Sequence, residues 1–118
     1  MGLNGLNNFL RHIAGIDQSL STGAKNVVKQ NALEMEAKAK MLAPVGDTGN
    51  LKRSISTTIT ESSDGIKAEV STNVEYAPHV EFGTSRQQAQ PFFNPAYEAQ
   101  KAQFESDMER VLRDGVDG

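Results

Sequence analysis

Apolar residues recur at three- and four-residue steps toward both ends of the chain, and at every second position in its middle. Leu6, Phe9, Leu10 and Ile13 form the first helical stripe, so Leu3 to about Ile16 reads as an amphipathic helix. Gly15 and Gly23 interrupt the pattern before a second helix begins. Ser19 or Ser21 can cap that helix, because a side-chain oxygen satisfies the free amides of a first turn. It runs to about Leu42, with Ala24, Val27, Val28, Leu33, Met35, Ala39 and Leu42 as apolar contacts, so helix is predicted over 3–42. Glu34 with Lys38 and Glu36 with Lys40 stand four apart on the wet side. Pro44 and Gly46 stop the helix, since proline disfavours helical geometry in the residue before it.

At Ser54 the period drops to two. Ile55, Thr57 and Ile59 alternate with Ser56, Thr58 and Thr60, and after Ser62-Ser63-Asp64-Gly65 the residues Ile66, Ala68, Val70 and Thr72 alternate again. Asp-Gly offers the positive φ of a tight turn, so 54–73 is predicted as an antiparallel hairpin with one buried face. The C-terminal helix, 95–114, is expected to cover that face. Asn94 suits its cap and Pro95 its first position, with Tyr97, Phe104, Met108, Val111 and Leu112 as its stripe and Gly115 as its end. Lys101 with Glu105 and Glu109 with Arg113 line the wet side. Segment 76–93 is irregular and glutamine-rich, with one helical turn around Ala77–Glu81. The fold class is α+β: an antiparallel hairpin-based sheet, with room for a third short strand, packed against long N-terminal and C-terminal helices.

Composition narrows the function. At 118 residues the chain suits a single domain, 1–118, and its 37% apolar content gives a thin core that favours self-association. Zero cysteines exclude disulfides and thiolate chemistry, and no apolar run approaches a membrane span or a signal peptide. A net charge of −3 argues against tight phosphate neutralisation. Up to Ser54 there are seven basic side chains against four acidic; beyond it there are five against eleven. Such asymmetry either marks complementary surfaces or is incidental.

Motifs of chemistry are near-misses. Gly46-Asp47-Thr48-Gly49-Asn50-Leu51-Lys52 has the texture of a phosphate loop, but no Gly-Lys-Ser/Thr is present and the next segment reads as strand. His79-Val80-Glu81 has the His-x-Glu form of zinc deaminases without their cysteines, so His79 reads as a surface or satisfied histidine. His12 has no partner at ligand spacing, and no Gly-x-Ser-x-Gly elbow exists. Glu34/Glu36 and Glu105/Asp107/Glu109 read as solvated helix faces. Nothing here spells an enzyme, a cofactor site or a metal site.

Four short motifs occur in order: Ala43-Pro44; Thr48-Gly49-Asn50-Leu51-Lys52-Arg53-Ser54-Ile55; Tyr76-Ala77-Pro78-His79-Val80-Glu81-Phe82-Gly83-Thr84; and Gln90-Pro91-Phe92-Phe93-Asn94-Pro95-Ala96. This series resembles the HK97 gp10-like family of tailed-phage proteins of the head–tail junction, from roughly Ala32 to the C-terminal helix, while the first thirty residues add only a helical pattern. Pro78 and His79 stand where less constrained residues are expected, so the turn they occupy is predicted to be distorted. The residues that carry the resemblance are Pro44, Thr48, Gly49, Leu51, Ser54, Ile55, Tyr76, Ala77, Glu81, Gly83, Thr84, Pro91, Phe92 and Pro95.

Read physically, Asp47 or Thr48 caps a short turn leading through Leu51 into the first strand, and Gly49 either permits a tight approach or is a plain connector. Tyr76, Val80 and Phe82 press one side of a turn into the core, which Gly83 ends with a left-handed angle. Phe92 or Phe93 staples onto the last helix. Exposed Thr84, Ser85, Arg86, Gln87 and Gln88 can bond a partner, or form a mobile solvated loop. Lys38 and Lys40 are candidate charged contacts between subunits.

The resemblance implies a structural virion protein at the neck or the top of the tail. It would form a ring, six subunits in the family's manner, joining head to tail around the DNA channel. Its partners would be further copies of itself and the head-closure or connector and tail proteins, with DNA passing through without specific binding. The alternatives are a tail terminator capping the tail tube, and a small unrelated ligand-binding domain or enzyme.

Overall fold

The computed structural model describes residues 16–17, 22–45, 49–62 and 65–114. Their elements, in chain order, are β1 (Ile16–Asp17), α1 (Thr22–Leu42), α2 (Asn50–Ser54), β2 (Ser56–Ser62), β3 (Gly65–Ser71), α3 (Ala77–Phe82) and α4 (Asn94–Asp114). The architecture is α+β, as the two periodicities predict. The predicted helix from Leu3, like the Ser19 or Ser21 cap and the Asp47 or Thr48 cap, lies outside the described residues, except that Ile16 is in strand and not in helix.

The sheet is antiparallel with order β1-β3-β2, so the short third strand is present. β2 and β3 pair residue for residue from Ser56↔Ser71 to Ser62↔Gly65. β1 adds Ile16↔Ile66 and Asp17↔Gly65 on the other side of β3. Alternation sorts the faces. Ile66, Ala68 and Val70 are buried, with Thr57 and Ile59 half-buried beside them, while Lys67, Thr60 opposite it and Thr58 opposite Glu69 face water. Gly65 has φ 141°, an angle closed to most side chains, where β3 begins.

The hairpin's cover is α1, and this corrects the expectation that the C-terminal helix lies on it. α1 packs against β2, β3 and α4, whereas α4 leans mainly on α1. The cause is visible in the side chains: Val28, Ala32, Met35 and Ala39 are small or slender and fully buried, which lets the α1 backbone approach the sheet closely. They join Leu51, Ile55, Ala77, Phe92, Phe93 and Ala96 in a single core, with Tyr97, Phe104 and Met108 packed at its margin. Leu33, Leu42 and Leu112, predicted as core contacts, are instead exposed by 54%, 47% and 58%.

Two polar residues of α1 and α4 take the places those leucines were expected to fill. Asn31 and Gln100 are buried, and Gln100 Nε2 donates to Asn31 Oδ1 and, at 3.0 Å, to Glu34 Oε1. Asn31 Nδ2 donates to the Val27 carbonyl at 2.9 Å and to Asp107 Oδ2 at 3.1 Å. Glu34 and Asp107 therefore belong to the seam between helices and not to a solvated face. Pairing of residue 31 with 107 and of 38 with 100 shows that α1 and α4 run antiparallel.

Candidate functional site: where the motifs converge

The Thr48–Ile55 motif folds into a turn and not directly into strand. Gly49 adopts φ 70°, ψ 18° and begins α2 without a side-chain cap; its amide donates to the Val45 carbonyl at 2.8 Å. A Cβ there would meet side-chain atoms only at 3.4 and 3.9 Å, so Gly49 serves the left-handed angle and not a close approach. Helix at 50–54 also corrects the prediction of strand after the phosphate-loop-like glycines. Leu51 and Ile55 enter the core, while Ser54 Oγ donates to the Leu51 carbonyl at 2.7 Å and meets Thr72 Oγ1. Thr72 Oγ1 in turn accepts the Val74 amide at 3.2 Å, which fixes the exit from β3 beside α2.

The Tyr76–Thr84 motif follows. Pro78 lies in the first turn of α3, where its missing N–H is no loss, and the Tyr76 carbonyl accepts the amides of both His79 at 3.0 Å and Val80 at 3.2 Å. Ala77, Pro78 and Glu81 face inward; Tyr76 and Phe82, expected in the core, are 45% and 54% exposed, and Val80 is half-buried. Gly83 closes α3 with φ 80° but an extended ψ of 174°, so the cap is not the left-handed one foreseen. A Cβ on it would lie 2.8 Å from the Ala89 nitrogen, so the 87–89 backbone requires glycine as firmly as the angle does.

Glu81, one of the residues that carry the resemblance, has a role that sequence reasoning missed. Its carboxylate is buried, and Oε1 accepts the amides of Phe92 at 3.1 Å and Phe93 at 2.9 Å while Oε2 accepts that of Asn94 at 3.0 Å. Three successive amides at the start of α4, where helix geometry supplies no carbonyl, converge on one carboxylate from another element. Asn94 is thus inside the helix, whose first carbonyl acceptor is Phe93 (Tyr97 N to Phe93 O, 2.8 Å), and Pro95 is its second residue. Phe92 and Phe93 are both fully buried, edge to face at 5.9 Å between centroids. The only advance signal was the spacing of a glutamate in one motif and Pro-Phe-Phe-Asn-Pro in the next.

The first two turns frame an open cleft of about 510 Å³ lined by Asn50, Arg53, Ser54, Val74, Glu75 and Tyr76. Within α2, Arg53 Nη2 donates to Asn50 Oδ1 at 2.6 Å. The cleft has a guanidinium, a carboxylate and a phenol among its lining side chains.

The sequence-predicted contact residues fall in separate places. Thr84, Ser85, Arg86, Gln87 and Gln88 are exposed, and the segment is a built turn: the amides and carbonyls of Thr84 and Gln87 exchange bonds of 2.9 and 3.3 Å, and the Arg86 amide donates to Thr84 Oγ1. Lys38 and Lys40 lie on opposite flanks of α1. Lys38 Nζ donates to Gln100 Oε1, and Gln100 stands between it and Glu34. Lys40 pairs with Glu36 at 2.8 Å, and Glu36 also accepts the Thr57 hydroxyl at 2.6 Å. Burial pushes the Glu36 carboxyl up, but the Lys40 and Thr57 bonds and the Lys40 charge outweigh it and hold it below the usual glutamate range. Pro44 is half-buried after α1, Pro91 is exposed before the Phe92 anchor, and Thr48 lies outside the described residues.

Among the described residues no cluster of histidine and carboxylate side chains could hold a metal ion, and no helix is long and apolar enough to cross a membrane. Neither the curated proteins nor the solved structures contain a match to the chain. A family model described as "Bacteriophage HK97-gp10, putative tail-component" matches residues 8–83. The match takes in α1, the hairpin and both motif turns, begins well before Ala32, and ends at Gly83, short of the Gln90–Ala96 motif. On that extent, the chain belongs to the HK97-gp10-like family of phage tail components.

Proposed function

We propose that this phage tail-related structural protein forms a ring of six subunits at the head–tail interface, at the neck or the top of the tail. There it joins head to tail around the DNA channel as a neck or tail-completion protein. The observation that supports this most is the exposure, among the described residues, of seven large apolar side chains: Leu33, Met41, Leu42, Val45, Tyr76, Phe82 and Leu112. Such surface is what a subunit brings to an assembly. Its neighbours are further copies, the head-closure or connector proteins above and the tail proteins below. The Thr84–Gln88 turn, presented on the rigid Glu81 anchor, is the segment that meets a neighbouring protein.

The test is a phage carrying a nonsense mutation in this gene. Full heads and finished tails that fail to join are expected, with the protein restored to the junction on complementation. Overlong tails would establish the tail-terminator role instead, and normal infectious particles without the protein would overturn both.

A further inference from the structure

The outward stripe of α1 is unusual. Asn26, Gln30, Leu33, Ala37 and Met41 follow one another at three- and four-residue steps, and all five are exposed. None carries a charge, although the helix has four lysines and two glutamates; those sit on its flanks, toward the sheet edge and toward α4. Leu33 and Met41 are 54% and 78% exposed, and Val45, one step beyond, is 58% exposed. The solvent face of a surface helix is ordinarily its most charged face. Here an apolar ridge of roughly 12 Å from Leu33 to Met41, at 1.5 Å per residue, lies open.

A second outward stripe, on α4, has the opposite character. Glu98, Ala102, Glu105, Glu109 and Leu112 lie on the face turned away from buried Ala96 and Gln100, and all are exposed. Glu105 and Glu109 are like charges four apart, an arrangement that weakens an isolated helix. α4 holds five acidic side chains against three basic ones, whereas α1 holds four basic against two acidic. The first stripe is apolar between lysine flanks; the second places a leucine and an alanine among glutamates.

We propose that the Leu33–Ala37–Met41 ridge of one copy docks on the Ala102–Glu105–Glu109–Leu112 stripe of the next. The inference rests on the ring reading and names its subunit interface. Two different patches meet, so the contact is heterologous and repeats from copy to copy, closing into a ring where the rotation allows. Ala37 and Ala102 let the helices approach, Leu33 and Met41, about 6 Å to either side of Ala37, pack on the aliphatic stems of Glu98 and Glu105 on either side of Ala102, and Lys38 and Lys40 flank the ridge.

Because the chain has no cysteine, engineered thiols report the contact cleanly. Chains carrying Ala37→Cys and Ala102→Cys are mixed at a series of concentrations and oxidised, with mass followed by light scattering and fold by circular dichroism. Disulfide between the two variants, exceeding that within either, is expected, and Leu33→Lys with Met41→Lys weakens association by tenfold or more. Cross-linking mainly of Ala37→Cys to itself would overturn the proposal in favour of a two-fold α1 contact. A closed ring that forms undiminished in the Leu33→Lys, Met41→Lys chain would overturn this interface while leaving the ring reading intact. A chain monomeric at every concentration, with no cross-link, would overturn it as well, and failure of the nonsense-mutant test would then sink the ring reading separately.

Discussion

At the scale of single residues, Glu81 has the largest effect on the fold for its size. Glu81→Ala leaves three amides without their acceptor, and at about 1–3 kcal/mol for each buried unsatisfied group a loss of about 3 kcal/mol or more is expected in urea unfolding. Glu81→Gln keeps one acceptor oxygen for Phe92 and Phe93 but turns an amide against the Asn94 N–H, so it falls between the parent and Glu81→Ala. Gly83→Ala meets both a positive φ and a backbone nitrogen 2.8 Å away, and costs about 2 kcal/mol or more; Gly49→Ala meets only the angle, about 1 kcal/mol. Glu36 bears on pH. Its carboxyl is depressed in the fold, so the folded state binds the proton less readily than the unfolded chain does. The stabilisation is therefore complete above the ordinary glutamate range and disappears as pH falls through the depressed value. At this partly exposed site it is a few tenths of a kcal/mol, and Glu36→Gln removes that fraction of the acid-side slope in unfolding measured from pH 7 to 3.

Among elements, the seam between α1 and α4 is polar where leucines were expected. Asn31→Leu leaves the Gln100 amide with Glu34 as its one acceptor and takes a donor from Asp107 Oδ2, and about 1–2 kcal/mol of destabilisation is expected by urea unfolding; adding Gln100→Met recovers part of it, because both ends of the Asn31–Gln100 bond are then apolar. This seam also shows why some elements were legible in sequence and others were not. The hairpin declared itself because a period of two leaves only one way to bury Ile66, Ala68 and Val70. A helix offers several stripes, and choosing the inner one by hydrophobicity alone put Leu33 and Leu112 inside and left Asn31 and Gln100 out. The motif turns were legible as positions of Gly, Pro and aromatic residues, but not in their orientation: Ala77 and Pro78 proved small enough to face the core, displacing Tyr76 and Phe82 outward. The Glu81 clamp was invisible because its acceptor and donors are eleven to thirteen residues apart, beyond any local cap rule.

For the molecule as a whole, the charge asymmetry of the sequence is shared between the helices and the rest of the chain. α1 carries two of the three basic charges in excess up to Ser54 and α4 two of the six acidic charges in excess beyond it, so these antiparallel neighbours differ in charge sign. Self-association driven by that difference should weaken as salt rises from 0.05 to 0.5 M (roughly, across a Debye length shrinking from over 10 Å to a few Å), and light scattering over that series is the check; charge reversal at Glu105 and Glu109 should abolish the dependence. Family membership also becomes physically intelligible at this scale. The matched segment ends at Gly83, yet Glu81 within it holds the first amides of the helix that lies beyond the match.

The Glu81 tie has one mechanical consequence. With its carboxylate gripping the chain at 92–94 and Gly83 closing α3, residues 84–91 form a handle fastened at both roots. Its tip can be lengthened, recoded or bent around a docking neighbour while the core beneath registers almost none of the strain. A short polar insertion between Arg86 and Gln87 parts the Thr84–Gln87 pair but leaves the Glu81 bonds in place, so the melting temperature should fall only slightly.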